Sequence, residues 1–143
     1  MITIDKVQRL VFDTMIKGDR IWQIPLVGNK IAFTNGFAIF VIPKKRCLFN
    51  LDMIPTLEYK IEGKDEGLPQ IRDTGICSIK DGRTLSKYQS EDGSVVSYAD
   101  KKWISFFAGA NLYSKGGADP IYARDAIGNL LGMLLPVRVS KPF

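Results

Sequence analysis

The residues best equipped for chemistry are few, and their spacing suits little of it. Cys47 and Cys77 stand thirty positions apart, in no C-x-x-C pair, so they make neither a structural zinc site nor a disulfide framework. Arg46 adjoins Cys47 and would favour its thiolate, but a cysteine nucleophile also wants a base, and the chain has no histidine. That zero removes Ser-His-Asp and Cys-His arrangements, every zinc site containing His, and the usual general base near neutral pH. Asp119 and Asp125 would begin a two-metal site if the final hairpin brought them together, although hairpin aspartates more often bond their own backbone. No G-x-x-x-x-G-K-[ST] or strand-to-helix G-x-G-x-x-G occurs. The glycine-rich stretch Phe107-Ala108-Gly109-Ala110…Lys115-Gly116-Gly117 follows a predicted helix, where the dipole has the wrong sign for an anion, so a helix stop and a hairpin turn are expected there. The chemistry therefore reads as non-enzymatic, with no cofactor and no metal.

What remains is charge. Twenty Lys and Arg against fifteen Asp and Glu give +5, a balance that permits a polyanionic partner. Residues 1–60 hold nine basic and five acidic side chains, so most of the excess lies there. Lys44-Lys45-Arg46 is the densest basic run, either a grip for phosphates or a charged loop guarding a sheet edge. Aromatic residues interleaved with basic ones on an open face would suit single-stranded nucleic acid. The nearest candidates are Tyr88 beside Lys87, Tyr113 near Lys115 and Tyr122 near Arg124, while Trp22, Phe33, Phe37, Phe40, Trp103, Phe106 and Phe107 read as core. Apolar residues at 45% and charged ones at 24% describe a globular chain of one domain in 143 residues. Met1–Lys6 has no apolar signal region and no run reaches the ~20 residues of a membrane span, so a cytoplasmic protein with two buried thiols is expected.

The elements that must position these groups are legible in the periodicity. Ile4, Val7, Leu10, Val11, Thr14 and Met15, widened by Phe12 and Ile16, predict an amphipathic helix capped by Thr3 or Asp5 and stopped at Gly18. The period then falls to two, predicting strands over 21–27, 30–34, 37–42 and 56–61, with type I′ turn chemistry at Asn35-Gly36. Residues 62–74 are charged and punctuated by Gly and Pro, which predicts a linker. Strands over 75–80, 83–89 and 94–98 follow, then a helix over about 100–108 and strands over 111–114, 121–124 and 129–139. Two halves, about 1–61 and 75–139, each carry one helix and several antiparallel strands. The predicted class is α+β: antiparallel sheet with two helices packed on one face.

The end of the chain carries a resemblance. Leu134-Leu135-Pro136-Val137-Arg138-Val139 resembles the apolar-apolar-Met-Pro-apolar-Arg-apolar pattern that closes the bacterial sliding clamp, the beta subunit of DNA polymerase III, with Leu in place of Met. Val96-Ser97-Tyr98 running into a helix, and Lys30–Phe37 after the first helix, are similar to parts of a clamp domain. The motif spans about six residues and the architecture most of the chain, which then ends in the additional Ser140-Lys141-Pro142-Phe143.

The resemblance implies a single clamp-like domain that acts in DNA transactions. Clamp helices face duplex DNA across the ring's hole, which implies a DNA-binding role for Lys6, Arg9 and Lys17 on the first helix and Lys101 and Lys102 on the second. The Pro-containing end of a clamp borders the cleft that receives polymerase peptides, which implies partner binding at Leu135, Pro136, Val137 and Arg138. A ring of single domains with bacterial geometry would need about six copies. The alternative implied is an interaction or inhibitory factor of a phage or mobile element that binds a replication protein and no DNA.

Overall fold

The computed structural model describes residues 4–143. Helix α1 spans Ile4–Lys17 and ends where predicted: Gly18 at φ 74° lets its N–H reach the Met15 carbonyl at 3.1 Å. Of the two predicted caps, Thr3 lies outside the described residues and Asp5 stands inside the first turn of the helix rather than before it. Nine strands follow: β1 Trp22–Pro25, β2 Lys30–Thr34, β3 Ala38–Pro43, β4 Gln70–Lys80, β5 Arg83–Ser90, β6 Val96–Asp100, β7 Asn111–Tyr113, β8 Ile121–Arg124 and β9 Leu130–Leu134. They form one antiparallel sheet in the order β1-β2-β3-β9-β8-β7-β4-β5-β6. Helix α2, Lys101–Ile104, starts at Asp100, whose carboxylate accepts the Lys102 N–H at 2.9 Å, and continues as a 3-10 turn over Ser105–Phe107.

Alternation along the central strands creates two apolar layers. Ile31 and Phe33 of β2, with Ala38, Phe40 and Ile42 of β3, face Val7 and Val11 of α1, Ile104 of α2, and Phe106 and Phe107 of the 3-10 turn after it. Phe40 packs between the two aromatic rings of the 3-10 turn, centroids 4.7 Å from Phe106 and 5.7 Å from Phe107. Both helices thus cover one face, and the fold is α+β as predicted. The intervening residues Ala32, Ile39, Val41 and Met133 face the other way, onto Ile61 with Tyr59 and Leu68.

That second layer corrects two expectations. Residues 56–61 make a single bridge, Thr56 to Gln23, rather than a strand. The Gln23 side chain donates to the carbonyls of Leu51 and Ile54, so this segment shields the edge of β1 before Ile61 turns under the sheet. The predicted linker at 62–74 is no loose tether either. Its last five residues begin β4, and Asp65 is buried against Arg124 of β8.

Other corrections are local. Phe12 and Ile16 are exposed, and the buried third member of the α1 face is Gln8, whose Oε1 accepts the Leu48 N–H at 2.7 Å. Phe37 is exposed at the β2–β3 loop. There Gly36 is left-handed but Asn35 is not, and Asn35 Oδ1 instead accepts the N–H groups of Phe37 and Ala38. Both central residues take positive φ at Asp81-Gly82 (52° and 76°), which is the type I′ pattern. Cys77 is exposed and Cys47 half-buried, so neither is a core thiol. Strand β9 stops at Leu134 instead of residue 139. Leu135 N–H reaches Phe37 O and Val137 N–H reaches Tyr98 O, both at 2.8 Å, so the chain changes partners at Pro136, the residue with no N–H to give. No described helix is long and apolar enough to cross a membrane.

Candidate nucleic-acid interface

The five cations assigned to the helix face are all exposed. The fold brings three of them to one place. Lys6 reaches from α1 across to the turn after α2, where its Nζ donates to Ser105 Oγ at 3.1 Å and sits 4.2 Å from the centroid of the Phe106 ring. Ser105 Oγ in turn donates to Lys102 O at 3.0 Å, and Lys102 Nζ lies 4.9 Å from the Trp103 ring centroid. Lys6, Lys101 and Lys102 therefore share the helix-covered side of the sheet. Lys6 contributes structure as well as charge, because it joins the two helices.

The other two are further along α1. Arg9 follows Lys6 by three residues and shares its side of the helix, whereas Lys17, eleven residues from Lys6, is about 16 Å away along the axis at 1.5 Å per residue. Asp5 and Asp13, both exposed, interrupt the positive surface. Among the described residues only Arg124 forms an ion pair with a carboxylate, so the helix cations are not neutralised by neighbours. The run Lys44–Arg46 forms an exposed 3-10 turn after β3, with no acid in its first turn. The loop beyond it is tied to α1 through Gln8, which sets this run beside the same helix.

The C-terminal set divides. Val137 and Arg138 line an apolar groove of about 640 Å³ together with Val96, Tyr98, Pro142 and Phe143; Leu135 and Pro136 lie outside it. Phe143 folds back onto Tyr98, ring centroids 4.7 Å apart, with the Tyr98 hydroxyl 3.2 Å from both its N and O. The tail thus fills part of the groove, with Pro136 acting as the bend that delivers Val137 to β6.

The weaker sequence candidates resolve clearly. Asp119 and Asp125 lie at opposite ends of β8 and do not converge. Asp125 instead accepts from Ile127 N and Asn129 N; desolvation, the largest single influence, raises its carboxyl, but the bonds from Asn129 and Ile127 and the charge of Lys30 together hold it below the usual range. Among the described residues no group of three or more Cys, Asp or Glu side chains could hold a metal ion. Tyr88 and Tyr122 are buried and present no stacking surface. No family model matches the chain, and no curated protein or solved structure matches it either.

Proposed function

We propose that this chain is a non-enzymatic DNA-transaction protein, a sliding-clamp-like domain that holds duplex DNA without sequence preference on its helix-covered face. The observation that carries the reading is the bridge from Lys6 to Ser105 and Phe106, which joins the cations of both helices into one exposed surface. Flexible lysines on short helices suit phosphates, whose positions repeat whatever the sequence; they offer no planar fork for reading base edges. Binding should therefore be governed by counterion release.

The test is a salt titration of binding to a labelled random duplex. Three or four phosphate contacts predict a slope of log K against log salt of roughly −3. Lys101→Glu with Lys102→Glu is expected to weaken binding at low salt at least tenfold and to flatten the slope by about 2. These exposed positions are preferred to Lys6, whose replacement would also remove a contact between the helices. Absence of binding at about 50 mM salt, or a slope unchanged by the double substitution, rejects the proposal.

The groove beside β6 favours a second reading, a clamp-derived interaction or inhibitory factor of a phage or mobile element that binds a replication protein. Its apolar lining and the seated Phe143 are the supporting features. Under that reading, deleting Ser140–Phe143 changes partner binding and the two lysine substitutions do not.

A further inference from the structure

Phe12 and Ile16 stand in water, 54% and 68% exposed, where helical periodicity predicts core. They belong to a longer stripe. Arg9, Phe12, Ile16 and, just past the helix end, Asp19 follow one another at spacings of three, four and three, the repeat that keeps side chains on one line of a helix. Gln8 and Lys6 mark its two borders. Gln8 leans toward the loop after β3, where it holds the Leu48 N–H, and Lys6 leaves the other side for Ser105. On the loop side the stripe continues into apolar surface. Leu48 is exposed beside Gln8, and exposed Met53 shares a concavity of about 490 Å³ with Met15, Asp19 and Trp22. Contiguous apolar surface of this kind marks an interaction site.

The stripe is its own complement. Arg9 and Asp19 are exposed, and neither forms an ion pair among the described residues. Thr14 is the midpoint between Arg9 and Asp19 and also between Phe12 and Ile16. When two copies of α1 lie antiparallel with these midpoints level, Phe12 of each meets Ile16 of the other, and Arg9 of each meets Asp19 of the other. Two apolar contacts fill the centre and two ion pairs close the ends. The Asp19 N–H, bonded to the Thr14 carbonyl at 3.1 Å, keeps that residue at the helix end. A two-fold axis also keeps the loop sides together, so Leu48 of one copy, level with Gln8, approaches Met53 of the other, level with Asp19. A parallel pairing would set Arg9 against Arg9 and Asp19 against Asp19, like charge on like.

We propose that this surface binds a second copy of the chain, as an antiparallel α1–α1 dimer. The match of charge selects that partner: a purely apolar one would leave Arg9 and Asp19 unpaired. The interface lies on the side of α1 away from α2. Lys6, Lys101 and Lys102 therefore remain open on each copy, and of the helix cations only Arg9 is taken up.

The test is sedimentation of the full chain in DNA-free buffer between about 10 μM and 1 mM. The mass is expected to rise from 16.0 kDa toward twice that, with a Kd of roughly 100 μM, as suits an interface of few residues. Phe12→Ser with Ile16→Ser, both at exposed positions, is expected to weaken association at least tenfold. Arg9→Asp and Asp19→Arg are each expected to weaken it about fivefold, because like charges then meet at both ends. Mixed in equal amounts, these two variants carry opposite charges at every end contact, so they are expected to pair with about the parent's affinity while each alone stays weaker. The mixture also decides the matter should the serine variants fold poorly. A chain that stays monomeric at about 1 mM, a dimer indifferent to the serine substitutions, or a mixture that associates no better than its components overturns the proposal. No DNA is present, so the outcome is independent of the duplex reading.

Discussion

Gly132→Val is expected to unfold most of the chain at 25 °C, and Gly132→Ala to lower its stability by about 3 kcal/mol or more. Gly132 lies in β9 opposite Phe40 of β3, under the ring of Phe107. A Cβ placed there would stand 2.0 Å from the Ile39 carbonyl oxygen and 2.7 Å from two carbons of that ring. A flexible side chain can swing aside from such a contact; a backbone carbonyl within a sheet has no such freedom. Accommodation means prising β9 from β3 at the junction between the first three strands and the remaining six. Urea unfolding followed by circular dichroism reads the loss as a lower midpoint. Gly132→Ala combined with Phe107→Leu separates the two clashes. Little recovery is expected, because the smaller side chain relieves the ring and leaves the carbonyl contact in place. A Gly132→Ala midpoint matching the parent protein would show that β9 can shift without cost.

Gly132 also shows where the sequence becomes uninformative. A glycine inside an apolar strand announces a close approach without saying to what; here the partners are more than twenty residues away in β3 and after α2. Local chemistry was far more legible. Gly18 stops α1 and Asp81-Gly82 forms the β4–β5 turn, because each requirement is met within a few residues, whereas Asp100, expected to open the second helix, caps it instead. The α1 stripe gave the direction of the buried face but overstated its width. Phe12 and Ile16 lie on the flank of a helix that touches the sheet along one narrow line, while Gln8 is drawn inward by the Leu48 N–H, forty residues on.

The candidate surface follows the same division. That Lys6, Arg9, Lys101 and Lys102 are exposed could be read from helical periodicity alone. That Lys6 spans to Ser105 could not, since it depends on the β-strands that lie between the two helices in sequence. The surroundings of Tyr88 are hidden for a related reason. Tyr88 stands beside a lysine, a pattern suggestive of stacking, whereas its ring is buried. The alternation of Ser86 and Tyr88 across β5 is visible in the sequence; the helix that roofs them is not.

Asp65→Ala is expected to cost about 3 kcal/mol at neutral pH and to release residues 57–69 to proteolysis while leaving the helix face intact. Arg124 donates to both carboxylate oxygens of Asp65, Nη2 at 2.8 Å and Nε at 2.5 Å, and its Nη1 donates to Gly128 O at 2.7 Å. The Asp65 side chain is 5% exposed and that of Arg124 23%, so removing the carboxylate strands a guanidinium that water reaches only in part. Glu62, at 4.0 Å from Nη2, softens that cost. The double variant Asp65→Leu with Arg124→Met is expected to be more stable than Asp65→Ala, because no unpaired charge remains. The pair also has a pH signature. Its hydrogen bonds with Arg124 are the main reason Asp65 titrates below the ordinary carboxylate range, outweighing the desolvation that opposes them. Its stabilisation is therefore complete above about pH 4, where the unfolded chain's carboxylate is ionised, and is lost as pH falls through the lower folded value. Asp65→Asn removes this titration, so its stability between about pH 5 and 2 is expected to fall less steeply than the parent's. Parallel acid-unfolding curves for the two proteins would mean that the Asp65–Arg124 pair does not hold the second layer to the sheet.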